Sequence, residues 1–308
     1  MRALVLGGAG FIGSHVVDAL VARGHSVRVF DRQPERFRAP LAAVDYIFGD
    51  ISDRSIVTEA ISGCDIVVHL ISTTFPSTAN FNPQADVEEN LVNTLSLVRS
   101  MIDLKISRIL FLSSGGTVYG IPETTPIPED SPLRPINSYG IVKVAIELYL
   151  NMYLRDRQLS PIIIRASNPY GPRQGHTGVQ GVVSTFLRCV KERRPIEIWG
   201  DGQAVRDFFY VTDLAQLIVA AVDSDAVGAF NAGSGMGVSI NELIETIATV
   251  TRAKVDRVYK PARSTDVPAS ILDVSRAADA FGWRAATNLT DGLAASWEWM
   301  LGQGKRTD

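Results

Sequence analysis

The 308-residue sequence predicts an α/β fold built on a doubly wound parallel sheet. Two patterns carry this. Short β-branched runs alternate with longer segments of helical period, and the runs are mainly apolar. A strand that is apolar on both sides must be covered on both sides, which is the situation of a parallel strand between two layers of helices.

The first run, ALVLG at 3–7, is a strand; it stops too soon to serve as the core of a signal peptide. A glycine-rich turn leads into a helix over Phe11–Ala22, followed by the strands SVRVF (26–30) and DYIFG (45–49). A helix over Asp53–Ile61, the strand DIVVHLI (65–71) and a long helix over Ala85–Leu104 come next. RILFLS (108–113) and PIIIR (161–165) are the fifth and sixth strands, with a helix over Ser138–Arg157 between them. Further helices are expected over Val182–Glu192, Thr212–Val222, Ile240–Val250 and Leu289–Met300. Ser138 and the pair Thr212 and Asp213 are read as helix start signals, since a side-chain oxygen there can accept from a first-turn amide. Two loops, Gly120–Pro135 and Asn168–Gly178, are too rich in proline and glycine for helix or sheet, and loops of this length in a compact domain usually carry function.

With 30 basic and 33 acidic residues the formal net charge is -3, so neither nucleic acid nor an anionic membrane is favoured as a partner. A small molecule is the expected ligand. The two cysteines, Cys64 and Cys189, fit no metal or redox spacing and read as buried thiols of a reducing compartment. No apolar run approaches the ~20 residues needed to span a bilayer. A cytoplasmic protein is therefore expected.

Gly7, Gly8, Gly10 and Gly13 lie between the first strand and the first helix, spaced as in G-x-G-x-x-G. Such glycines let the backbone turn tightly and approach a pyrophosphate, which then rests on the free amides of the helix start, here Phe11, Ile12 and Gly13. Asp31, ending the second strand, is placed to accept from a ribose diol, so a Rossmann-type dinucleotide site is expected, with NAD favoured over NADP. Arg32 tempers this, because an arginine can accommodate a 2′-phosphate. Asp50 and Ile51 are candidates for the adenine end, Asp50 equally for a helix cap. Leu70, Ile71 and Ser72 should line the ribose and phosphates. His69, in an apolar strand, reads as a packed neutral histidine.

Tyr139 and Lys143 are four apart on an expected helix and share one face. A phenol ionises near pH ~10, and a neighbouring ammonium lowers that, so the pair suits a base and its tuner. With "GGAGFIGSH", "GDI", "SSGGTVYG", "SYGIVK", "NPYGPRQ", "GDGQAVRDFFYVTD", "NAGSGMGVSINEL" and "FGW" in order, the chain resembles the extended short-chain dehydrogenase/reductases, in their nucleotide-sugar epimerase/dehydratase branch.

The resemblance implies a Rossmann-type NAD domain over 1–166, rejoined by 208–232, and a smaller C-terminal substrate-binding domain from 167–207 and 233–308. It also implies a homodimer through the helices at 85–104 and 138–157, with Leu91, Leu95, Leu148 and Tyr149 as interface candidates. The family's active site is a Ser or Thr, a Tyr and a Lys. Tyr139 and Lys143 match; the hydroxyl position falls on Gly115, which passes the role to Thr117, the first choice on an extended backbone, or to Ser114. Ser113 is a cofactor-side candidate. Arg206 and Arg263 match the family's diphosphate arginines, Asn168 and Asp266 its sugar contacts, and Val183 and Trp199 its nucleobase walls. Ser270 stands where epimerases that exclude N-acetylated sugars often carry a tyrosine. Gly116 and Thr117 replace the acid pair of the dehydratases, and no cysteine falls in the motif of the epimerase/reductases. The expectation is a metal-free, NAD-dependent C4 epimerisation of a UDP-sugar, UDP-Glc/Gal or UDP-GlcNAc/GalNAc. A reductase or dehydratase of the same family, or a non-catalytic NAD sensor, are the alternatives.

Overall fold

The computed structural model describes residues 1–76, 78–175, 181–262 and 267–302. Six strands follow the expected order: β1 (Arg2–Leu6), β2 (Ser26–Asp31), β3 (Val44–Phe48), β4 (Ile66–His69), β5 (Arg108–Ser114) and β6 (Ser160–Ala166). Three short strands, β7 (Asn168–Tyr170), β8 (Ile196–Trp199) and β9 (Val205–Tyr210), intervene before β10 (Gly228–Ala232) returns to the main sheet. That sheet has seven strands in the order β10-β6-β5-β4-β1-β2-β3, each neighbouring pair parallel. β10 escapes the sequence reading because GAFNA carries little β-branched character.

Alternation along the strands sorts the core into two layers. Ala3 and Val5 face one side with Val16, Val17 and Leu20 of α1 (Phe11–Ala22), while Leu4 and Leu6 face the other with Leu97 and Met101. All nine are at most 1% exposed.

The remaining helices are α2 (Arg54–Ile61), α3 (Pro83–Asp86), α4 (Asn93–Asp103), α5 (Ser138–Arg155), α6 (Val182–Lys191), α7 (Val211–Asp223), α8 (Ile240–Thr251), α9 (Ser275–Phe281) and α10 (Leu289–Gly302). The single helix expected over Ala85–Leu104 is broken into α3, a π-helical turn at Val87–Val92, and α4. Ser138 does not cap α5: Asn137 does, its side chain accepting from the Gly140 amide at 2.8 Å. α7 likewise starts from Tyr210 with no side-chain cap, so Thr212 and Asp213 fall inside it. Asp53, which the sequence places at the head of a helix, caps α2 by accepting from the Ser55 and Ile56 amides.

The later part of the chain adds β11 (Gly237–Ser239), β12 (Arg257–Lys260) and β13 (Ala269–Ser270). β7, β9, β11 and β13 form a second sheet, and β8 pairs with β12. Their own core is led by Val183, Phe186, Leu187, Ile198, Leu243 and Ile247. Among the described residues no helix is long and apolar enough to cross a membrane.

Candidate active site

Strand order reverses at β1, whose neighbours β2 and β4 leave it in opposite directions along the sheet; a crevice opens beyond the strand ends at such a point. A cavity of about 1050 Å³ lies there. Gly7 turns with φ +83°, and the Gly10 amide donates to its carbonyl at 3.1 Å. A Cβ on Gly13 would collide with that carbonyl, so only glycine lets the start of α1 come this close to β1. No side chain caps α1 and no acid sits in its first turn, which leaves its amides to an anion. Gly7, Gly10, Phe11, Ile12 and Gly13 all line the cavity.

Asp31 projects into it as well, and is held in place: Oδ2 accepts from the Ala9 amide at 3.0 Å and Oδ1 from Gln33 at 3.1 Å. Arg32 is drawn onto Asp50 at 2.8 Å. Asp50 also accepts from the Ser52 amide and hydroxyl, which hold its carboxyl below the usual range. Ile51, Leu70, Ile71 and Ser72 line the wall beside them. These residues fit a dinucleotide: a glycine cradle that any Cβ would fill, free helix amides, and a fixed carboxylate at the ribose end.

The catalytic candidates converge on Tyr139. Its hydroxyl is hydrogen-bonded by the side chains of Ser72 and Ser114. Lys143 lies one turn on, its Nζ 5.5 Å from the centre of the Tyr139 ring and donating to the Leu112 carbonyl at 2.9 Å. Burial pushes the Tyr139 phenol up to about 12, further than the two hydroxyls pull it down. Burial also pushes the Lys143 ammonium down to about 8, against the pull of Glu147 and Asp86. The sequence leads one to expect a phenol lowered by the lysine; in the structure desolvation is the larger effect. Ionising it at pH 7 would cost about 7 kcal/mol. The resting tyrosine is therefore a neutral phenol.

The extended backbone that favoured Thr117 is not present. β5 ends at Ser114, and the Thr117 and Val118 amides both fold back onto the Ser114 carbonyl, at 3.2 and 3.1 Å. This turn presents Ser114 to Tyr139. Thr117 belongs to the cavity wall, but its Oγ1 is shut away from solvent with no hydrogen-bond partner. Ser113 also lines the cavity, and its hydroxyl donates to Glu147 at 2.5 Å. His69 is buried against Thr94 and Phe111, with burial pushing it down to about 3, neutral as expected.

At the other end of the cavity the wall includes Asn168, Val183 and Arg206. The Asn168 amide donates to the Asp207 carbonyl at 3.0 Å, and Arg206 reaches the Val205 carbonyl at 2.8 Å. Among the described residues of this wall, Trp199 and Ser270 are not found; Trp199 is 45% exposed on β8, and Ser270 is buried in β13 beside Arg206. Arg263 and Asp266 lie outside the described residues.

Four polar residues near the site escaped the sequence reading. Asp86 and Glu147 are both fully buried acids, and Glu147 is paired with Arg165 at 2.7 Å. Asn90 bonds Thr73 and Asp86. Glu147 had a signal, an acid on the Tyr139 and Lys143 face of α5; Asp86 and Asn90 had none, because the π-helical turn that orients them leaves no periodic mark.

Residues 3–233 match the model of the NAD dependent epimerase/dehydratase family. The UDP-glucose 4-epimerase of Mycolicibacterium smegmatis is 34% identical over 306 residues, covering 97% of this chain and 98% of that one. The dTDP-4-dehydro-6-deoxyglucose reductase of Escherichia coli is 33% identical over 299 residues, covering 94% of each. Among solved structures, the UDP-glucose 4-epimerase of Thermotoga maritima with UDP-glucose superposes with a TM-score of 0.93 at 33% identity, over 99% of this chain and 100% of that one. The Thermus thermophilus UDP-glucose 4-epimerase in complex with NAD gives 0.91 at 32% identity, over 98% and 99%.

Proposed function

The chain belongs to the NAD-dependent epimerase/dehydratase family with NAD as its cofactor, and from that premise we propose that it interconverts UDP-hexoses at C4 through a transient 4-keto sugar. The observation that carries this is the Tyr139 hydroxyl, bonded by Ser114 at the edge of a cavity whose phosphate-side wall includes Arg206. Bound NAD supplies a hydride acceptor that can return what it takes, and a positive charge. Tyr139, as the phenolate that the positive charges of Lys143 and the cofactor would favour, accepts the proton of the C4 hydroxyl, Ser114 orients that hydroxyl, and Lys143 holds its positive charge one helical turn away. Thr117 contributes wall; its sealed oxygen is not positioned to share the proton. Arg206 and Arg263 grip the diphosphate while the keto sugar turns over, with Asn168 and Asp266 at the sugar and Val183 and Trp199 at the nucleobase.

We assign 1–166 with 208–232 to NAD and 167–207 with 233–308 to the UDP-sugar, a boundary that falls inside β9 of the second sheet. We place the protein in the cytoplasm as a homodimer. Ile141, Leu148 and Met152 form an apolar row on α5 that is 54%, 61% and 41% exposed, and covering it with a second copy would remove that area from water. Leu91 instead packs into its own core.

The relative that reduces a 4-keto sugar makes a reductase the second reading. Incubation with UDP-Glc, UDP-GlcNAc and UDP-GlcA, followed by separation of C4 epimers, tests the assignment. A pair of epimers from any of the three supports it; NAD(P)H consumed one for one with product supports the reductase, and binding of NAD without any UDP-sugar supports a sensor.

A further inference from the structure

We propose that Asp86 is a positioning residue for the catalytic tyrosine: its buried carboxylate ties the loop that carries Ser72 to the start of the helix that carries Tyr139, and offsets the charge of Lys143 there. The inference rests on the reading of Tyr139 as the base.

Asp86 is 0% exposed. Its Oδ1 accepts from Thr74 Oγ1 at 2.6 Å and from Asn90 Nδ2 at 2.9 Å, and its Oδ2 accepts from Ser138 Oγ at 2.6 Å. Three donors converge on two oxygens, which is the arrangement of an ionised, acceptor-only carboxylate. Burying such a charge is costly unless every lone pair it turns inward is used. The partners show what it joins. Thr74 stands two residues after Ser72, whose side chain bonds the Tyr139 hydroxyl, and Ser138 immediately precedes Tyr139. One carboxylate thus spans both chain segments that meet at the phenol. Asn90, one turn along, repeats the tie: its Oδ1 accepts from the Thr73 amide at 3.0 Å while its Nδ2 reaches Asp86.

Charge follows the same geometry. The ionisable groups around Tyr139 are Lys143 and Glu147 on its own helix, Asp86 on α3, Glu89 on the π-helical turn, His69 on β4 and Arg165 on β6. Glu147 and Arg165 neutralise each other in a buried pair, and His69 is neutral. Glu89 is exposed and its charge is screened by solvent, so Lys143 and Asp86 are left as the buried opposed pair. Taking away the charge of Asp86 leaves Lys143 unopposed, and Tyr139 then ionises at lower pH.

The test uses two variants of the full chain with NAD. Asp86→Asn keeps the shape and removes the charge; Ser138→Ala keeps the charge and cuts one tie. Ultraviolet titration of phenolate, with the matching Tyr139→Phe protein as blank, should show the Tyr139 midpoint about 1 pH unit lower in Asp86→Asn and unmoved in Ser138→Ala. Ser138→Ala should lower kcat about 10-fold with KM within about twofold. A Tyr139 midpoint that stays put in Asp86→Asn, or a wild-type kcat in Ser138→Ala, overturns the inference. If Asp86→Asn fails to fold, Thr74→Val, which cuts a second tie to the same carboxylate, joins Ser138→Ala, and an unchanged kcat in it would overturn the inference. The titration needs no substrate, so a wild-type protein that epimerises nothing refutes the reaction and leaves this result standing.

Discussion

Leu272 occupies the space into which a Cβ on Gly115 would grow. A side chain there would collide with the Leu272 methyl and come within 3.0 Å of the Arg165 carbonyl, and Leu272 is fully buried with Val118, Tyr119 and Ile127. Gly115 is thus a packing requirement of the turn after β5, and in the proposed reaction the hydroxyl it cannot carry is supplied by Ser114. Gly115→Ser should destabilise the protein by about 1–3 kcal/mol in denaturant unfolding and raise the rate not at all. A stable Gly115→Ser variant with higher activity would contradict this packing.

Ser114 and Thr117 separate cleanly as rivals. Ser114→Ala removes a hydroxyl bonded to Tyr139 and should lower kcat about 100-fold, whereas Thr117→Val replaces a sealed, unpartnered oxygen and should leave kcat within about twofold. Steady-state kinetics of the two variants decide it; the reverse ranking restores Thr117.

Lys143 carries a stability cost that pH exposes. Burial holds it at about 8 in the folded protein, below its ordinary 10.5. Below pH 8 the fold must keep a desolvated ammonium; between 8 and 10.5 the unfolded chain binds the extra proton, so this group's penalty fades as pH rises. Lys143→Met should therefore be about 2 kcal/mol more stable than the parent at pH 7, after allowing for the Leu112 carbonyl left without its donor, and should lose that advantage by pH 10.5. Equal stabilities at pH 7 would refute it.

Ser270 is buried beside Arg206, which lines the cavity, and in the proposed reading a small residue there leaves room for a 2-acetamido group. Ser270→Tyr should shift kcat/KM toward plain over 2-acetamido hexoses by about 10-fold. Selectivity that does not move would remove Ser270 from the account.

The sheet was legible because parallel strands buried on both faces write themselves as apolar runs; β1, β4, β5 and β6 do, while β2 is broken by Arg28. The short strands of the second sheet, such as NPY in β7 and GVS in β11, are held by neighbours distant in sequence and leave no run to read. At the site, Tyr139 with Lys143 and the glycine cradle were legible because each is a local spacing. The choice between Ser114 and Thr117 was not, since it turns on where β5 ends, and that is fixed by a turn packed under Leu272. The upward pull on Tyr139 was likewise invisible, because desolvation depends on everything around the phenol.

The most direct test follows a deuterium placed at C4 of a UDP-hexose that the enzyme accepts. If hydride leaves C4 and returns to its other face, the C4 epimer forms with the label still on C4, no NADH accumulates, and Tyr139→Phe retains NAD but forms no epimer. Label appearing at C6, label lost while cofactor is consumed in proportion to product, or an undiminished rate in Tyr139→Phe would contradict the account.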